Sequence, residues 1–190
     1  DFIVLAEVNQ PWLDDLDLAE LGYFYSEEYP RDNNFGIAFF SRIPFEEARI
    51  VDTIVPSVLV QYSLEGKPFS IVGTHTWPPL NGYLSNHRDQ QMIELAEVIN
   101  KQSGAVIFCG DLNLTSWSHA YSEFVTETGM RDSRLGRGIQ ASWPVNKPLL
   151  KIPIDHVLVT DEIDILERRL GPDIGSDHFP VITDFHLNDE

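Results

Sequence analysis

Apolar residues in this chain fall in short dense runs, and polar punctuation divides them along its whole length. "FIVLA", "GIAFF", "ARIVDTIV", "VLVQYSL", "PFSIVGTH", "AVIFC", "IDHVLV", "DILERRL" and "PVITDFHL" are rich in Val, Ile and Phe. Gly, Pro, Asn and Asp separate them, which is the pattern of strands. Three intervening stretches carry helix signals. "NQPWLDDLDLAELG" has Pro11 near a start and Gly22 as a stop. From about Ser85 to Lys101, helical spacing puts Met92, Leu95, Ala96 and Ile99 on one face. "SWSHAYSEFVTETG" offers a Ser cap, a stripe of Ala120, Tyr121, Phe124 and Val125, and Gly129 as its stop. No repeat, linker or low-complexity run interrupts the pattern. It predicts one α/β domain over residues 1–190, with mixed sheets packed between helices.

Composition sharpens this only in places. With 190 residues, 43% apolar and 23% charged, the chain is globular and large enough for a real core. No apolar run approaches the roughly 20 residues of a membrane span. The chain opens at Asp1, directly before a strand and without Met, so a cut from a longer chain is expected. The lone Cys109 excludes an intrachain disulfide and reads as a small residue at a strand end. Thirteen basic against 30 acidic residues give −17, which disfavours a broad cationic face for nucleic acid. A nuclease stays open, because a bound divalent cation supplies positive charge to a phosphate.

The chemistry gathers at strand ends. "FIVLAEVNQ" ends with Glu7, "SIVGTHTWPP" with His75, and "VIFCGDLN" with Asp111 and Asn113. Asp155 opens "DHVLV", and Asp177 and His178 sit in the turn entering the last strand. Alternation along an extended backbone sends Asp111 and Asn113 the same way, with Leu112 and Leu114 turned to the interior. Each residue has an ordinary reading beside the functional one. Asp111 and Asn113 fit an Asx turn, Glu7 a helix cap, His75 a loop, and Asp155 a turn hydrogen bond. A sheet can bring all these termini to one edge, and carboxylates that converge repel one another unless a cation sits among them.

An acid in "LAE", then "GTH", "GDLN", "DHV" and "SDHFPV" follow one another in order from Glu7 to Val181. In this the chain resembles the endonuclease/exonuclease/phosphatase superfamily, the deoxyribonuclease I-like fold. The resemblance implies a four-layer α/β sandwich, two mixed sheets face to face with helices outside, and Mg²⁺- or Mn²⁺-dependent hydrolysis of phosphate esters. It also implies roles. Glu7 is the principal metal ligand, and Asp177 holds metal directly or through water. Asp111 activates or orients water, with Asn113 beside it on the phosphate or nucleophile. His178 meets the non-bridging oxygens, Asp155 orients and charges its imidazole, and His75 faces the phosphate or leaving group.

Two departures stand out. The family's first strand, which ends in a site Asn, is absent, so the domain reads as N-terminally truncated. "THTWPP" lacks the Asn usual in the DNA-repair branch, and with "ASWPVNKP" it resembles bacterial branches of uncharacterised substrate. Some of those follow membrane segments. The compartment stays open, with the soluble domain of a membrane-anchored bacterial protein as one setting the resemblance allows. Trp77 and Trp143 are candidate substrate-facing aromatics or loop anchors. Arg131, Arg134, Arg137, Lys147 and Lys151 are the basic residues that could meet a polyanion, and a solvated surface loop explains them equally well. The expected activity is a metal-dependent phosphodiesterase or phosphatase on small or lipid-derived esters, with a monomer favoured. The alternatives are a nuclease acting on DNA or RNA, and a non-catalytic binding module that keeps the fold.

Overall fold

The computed structural model describes residues 1–188. Its largest element is a six-stranded sheet in the order β4-β5-β6-β7-β9-β8. The strands are β4 (Glu47–Val51), β5 (Ser57–Leu64), β6 (Lys67–His75), β7 (Ala105–Asp111), β9 (Asp155–Val159) and the two-residue β8 (Arg131–Asp132). Among the described residues only β6 and β7 run parallel, because α2 (Gly82–Asn100) carries the chain back between them. Facing this sheet are two antiparallel pieces. One is β1 (Phe2–Ala6), β3 (Ile37–Ser41) and β2 (Tyr25–Tyr29) in the order β1-β3-β2; the other pairs β10 (Ile163–Leu170) with β11 (Val181–Leu187). Mixed pairing is thus confined to the six-stranded sheet. The opposite face is antiparallel and split, and β1 and β11 each pair on one side only among the described residues.

Strand periodicity explains the layers. In β3, Ile37 and Phe39 point into the core between the sheets, while Ala38 and Phe40 point to the far side with Val8 and Leu13. Both faces are buried, so the run "IAFF" is apolar without alternation. β7 does the same. Ala105 and Ile107 meet the inter-sheet core, whereas Val106 and Phe108 pack under α2 and α3 (His119–Thr128) against Leu95, Met92 and Phe124. Four layers result, with α2 and α3 outside one sheet and α1 (Gln10–Asp14) outside the other.

α3 has the expected limits. Ser118 accepts the Tyr121 N–H, and Gly129 closes the helix at φ +66°. α2 begins three residues before Ser85, because the Asn81 side chain accepts the Leu84 N–H and caps it. The first helical stretch differs from expectation. It breaks into α1 and a single 3₁₀ turn, Ala19–Leu21. Asp14 ends α1 and Asp15 is its C-cap, and the Asp17 carboxylate accepts the Glu20 N–H at 3.4 Å ahead of the second turn. Short acidic side chains favour caps over helix interiors. Among the described residues no helix is long and apolar enough to cross a membrane.

Candidate active site

Glu7, His75, Asp111, Asn113, Asp155, Asp177 and His178 all lie at, or next to, strand ends on one edge of the two sheets. Register fixes the centre: in the six-stranded sheet Asp111 is level with His75 on one side and Asp155 on the other. Gly110 makes that pairing tight. At φ +148°, a Cβ there would lie 1.8 Å from the Thr74 carbonyl oxygen, so only glycine lets β7 close on β6 at this point. Gly36 plays the same part beside Glu7, where a Cβ would lie 1.8 Å from the Val8 carbonyl oxygen. The Val8 amide donates to the Gly36 carbonyl and the Arg31 amide to the Val8 carbonyl, so the turn carrying Glu7 is clamped.

β7 ends at Asp111, and Asn113 lies beyond it at φ +47°. The left-handed residue lets the Asp111 carboxylate accept the Asn113 amide N–H at 2.8 Å, an Asx turn. The Asn113 side-chain amide donates to the Thr76 carbonyl at 2.9 Å. Arg88, buried on α2, donates to the Asn113 carbonyl at 3.3 Å. Leu112 and Leu114 are both buried, as alternation predicts. The Asx turn and the candidate cluster are therefore one structure.

His75 is almost entirely buried. Its Nδ1 lies 2.9 Å from the Asn34 carbonyl, so Nδ1 carries the proton and donates. Nε2 is left to accept from the Asn113 side chain at 3.4 Å, with Glu7 and Asp111 at 3.8 and 3.7 Å. Burial lowers its pKa and holds the ring neutral. The resemblance implies a His75 that faces the phosphate or leaving group; the structure places its buried ring beside Asn113, Glu7 and Asp111.

His178 is the opposite case. Its Nδ1 meets the Asp155 carboxylate at 2.8 Å, and Nε2 points toward Asp111, 3.8 Å away. Burial works against the charged ring, but the hydrogen bond and charge of Asp155, with Asp111 and Asp177, lift its pKa to about 9. Asp155 is itself held at the backbone. Its amide donates to Ser142 Oγ, and its carbonyl accepts from the buried Arg168 guanidinium at 3.1 Å. Desolvation, then the Asp155 charge, push Asp111 up to about 7. A cationic imidazole thus faces a carboxylate poised near neutrality.

Glu7 is more exposed, with about half its side chain in solvent. Desolvation and the charge of Asp177 raise its pKa. Asp177 is exposed, and the Trp143 indole N–H donates to its carboxylate at 3.0 Å. Asp111, Asp155 and His178 place ligand atoms within 4.8 Å of one another, a spacing a metal ion fits. In that trio His178 Nδ1 is already engaged by Asp155, and Nε2 faces Asp111. Glu7 and Asp177, two solvent-facing oxygen donors that repel each other, fit a hard cation that keeps most of its water.

Both candidate tryptophans are tied down. Trp143 holds Asp177, and Trp77 packs on Phe35 at 4.3 Å between ring centroids with its Nε1 buried. Arg88, Ser142 and Arg168 went unread in the sequence. Arg168 sits past a β-bulge at Ile165/Glu167 that shifts the inward parity of β10 from Ile163 to Arg168, so strand alternation concealed it.

The sequence profile of the Endonuclease/Exonuclease/phosphatase family matches residues 1–178. No curated protein sequence matches the chain. Solved structures similar to it include zebrafish (D. rerio) TDP2 in complex with a single-strand DNA product, at 19% identity and TM-score 0.77, covering 98% of this chain and 86% of that one. The human Nocturnin catalytic domain with bound sulfate matches at 17% identity and TM-score 0.78, covering 99% and 81%. A mannosyl-6-phosphatase of Bacteroides thetaiotaomicron matches at 18% identity and TM-score 0.72, covering 98% and 85%. At such identities the likeness is one of fold. The architecture is deoxyribonuclease I-like.

Proposed function

The chain belongs to the Endonuclease/Exonuclease/phosphatase family, and on that premise we propose that it hydrolyses phosphate esters with a divalent cation, Mg²⁺ or Mn²⁺. Members of the family are hydrolases of phosphoester bonds that generally use a divalent metal. The observation that carries the reading is the opposed pair of His178, charged by Asp155, and Asp111, poised near neutrality across 3.8 Å. His178 Nε2–H faces the position where negative charge grows on a phosphoryl oxygen. Asp111 is placed to take the proton of an attacking water, and Asn113, pinned by Thr76 and Arg88, fixes the geometry beside it. Glu7 and Asp177 are the residues that would hold the cation, with Trp143 orienting Asp177. A bound cation supplies Lewis acidity and charge neutralisation to the ester.

Small or lipid-derived esters are the favoured substrates. Three arginines read as polyanion contacts are committed elsewhere. Arg131 pairs with Asp161 and donates to the Ile163 carbonyl, Arg134 binds Asp132 and Ser116, and Arg137 donates to the carbonyls of Ser133 and Ile165. With −17 overall, a polyanion is repelled at long range while a single phosphate scarcely is. Nucleic acid is the second reading, favoured by the TDP2 likeness alone. The test is turnover of bis(p-nitrophenyl) phosphate and of supercoiled plasmid with Mg²⁺ or Mn²⁺, using Asp111→Asn and His178→Ala as controls. Ester turnover that falls about 10²–10⁴-fold in both variants supports the reading. Plasmid nicking with that dependence and no ester turnover overturns the substrate choice.

A further inference from the structure

The loops that bring the catalytic residues to one edge also carry apolar side chains. Leu80 and, in the first turn of α2, Tyr83 follow His75, Trp117 follows Asn113, Leu149 and Leu150 precede Asp155, and Ile174 precedes Asp177. These six are between 66% and 97% exposed. A single exposed leucine signals nothing. Of the fifteen large apolar side chains exposed among the described residues, these six lie on four separate segments that adjoin the site residues in sequence.

The hairpin from Trp143 to Ile152 is the clearest part. An antiparallel bridge between those two residues closes its base. The Val145 amide donates to the Asp177 carbonyl and the Phe179 amide to the Ser142 carbonyl, fixing the base to the site. The tip is "KPLLK", a single 3₁₀ turn that leaves Leu149 97% exposed. Lys147 and Lys151 flank the two leucines, and the Lys151 ammonium lies 4.3 Å over the Phe179 ring, beside His178. A chain with only 13 basic residues thus puts two of them around its most exposed apolar pair.

We infer that this rim docks on a lipid bilayer, so that the esters reaching Asp111 and His178 are displayed at a membrane surface. The inference rests on the phosphoesterase reading above. Apolar tips suit the acyl boundary, and lysines beside them suit the level of the phosphates. A nucleic acid duplex calls for a wide cationic face, which the committed arginines do not form. The net charge opposes a strongly anionic membrane, so zwitterionic headgroups match best.

The experiment is flotation of the 190-residue chain with phosphatidylcholine vesicles at low and high salt, alongside turnover of soluble bis(p-nitrophenyl) phosphate. The wild type floats at both salt concentrations, because apolar insertion is not screened. Leu149→Asp with Leu150→Asp lowers the floated fraction about tenfold, and Trp117→Ala, on a different loop, lowers it about threefold. Circular dichroism of both variants matches the wild type, and soluble turnover by the leucine variant stays within about twofold of it. A wild type that does not float, or a leucine variant that floats equally well, overturns the docking surface. So does binding that collapses with salt and yields to competing duplex DNA, which assigns the rim to nucleic acid. Loss of soluble turnover with flotation intact strikes the phosphoesterase reading instead, so the two failures are separable.

Discussion

Replacing Asp155 by Asn isolates what the carboxylate does for His178. The substitution keeps the shape and a hydrogen-bond acceptor, and the backbone contacts to Ser142 and Arg168 are untouched. The rise of His178 from an ordinary 6.5 to about 9 corresponds to about 3 kcal/mol between its two protonation states. The ring retains some exposure, and Asp111 and Asp177 also contribute, so after solvent screening about 2 kcal/mol falls to Asp155. A folded pKa raised above the unfolded one adds stability that is complete below about 6.5 and is lost as pH rises through about 9. Asp111 is raised partly by the Asp155 charge, so the variant relieves it, and that relief narrows the gap further as pH rises. Urea unfolding in EDTA, which keeps any cation out of the balance, is expected to show the wild type about 2 kcal/mol more stable at pH 6. That gap should close to less than half by pH 10. NMR titration of the same samples should place His178 lower by more than one pH unit in the variant. A gap that does not change with pH, or a His178 that titrates alike in both proteins, refutes the charged pair.

Three further outcomes follow from named contacts. Saturating Mg²⁺ or Mn²⁺ is expected to raise the Tm of the wild type, since cation binding relieves Glu7 and Asp177, and to leave Glu7→Gln unmoved; equal shifts in a thermal melt would count against Glu7. Trp143→Phe keeps an aromatic ring but removes the donor to Asp177, so activity at limiting Mg²⁺ should fall about tenfold and recover as Mg²⁺ is raised; a loss that Mg²⁺ does not restore would break the link to the cation. Gly110→Ala should destabilise by about 3 kcal/mol or more, because its Cβ would meet the Thr74 carbonyl oxygen at 1.8 Å, and chemical denaturation showing under 1 kcal/mol would contradict the close approach.

The apolar runs were legible because each strand interior is buried on at least one face, and burial demands Val, Ile and Phe whatever the neighbours are. β2 escaped notice for the same reason. "YSEEY" is a mostly exposed strand at the edge beyond β3, so its residues answer to solvent and to the backbone of β3. No side-chain pattern marks such a strand. The acidic stretch after Pro11 misled in the other direction, since its leucine spacing suits a helix while Asp15 ends one as its C-cap and Asp17 turns its carboxylate to the Glu20 N–H. Where a local hydrogen bond competes with periodicity, the short polar side chain decides.

The site divides along the same line. The candidate catalytic residues stand at strand ends, and their types announce them; residues that hold those groups in place do so through the backbone, which leaves no trace in residue type. Arg88 donates to a carbonyl of Asn113 and Arg168 to a carbonyl of Asp155, yet in sequence one is a helix arginine and the other a strand arginine. Alternation did bring Asp111 and Asn113 together, but by a route it did not contain. Asn113 lies past the strand, and its positive φ with the Asx hydrogen bond returns it to the face that two strand steps would have reached. That turn is held from three sides, by the Asp111 carboxylate, the Thr76 carbonyl and the Arg88 guanidinium. A left-handed asparagine supported in this way is costly to form and hard to displace. The carboxylate beside it therefore keeps one orientation toward His178, which is what the proposed role of Asp111 as proton acceptor requires.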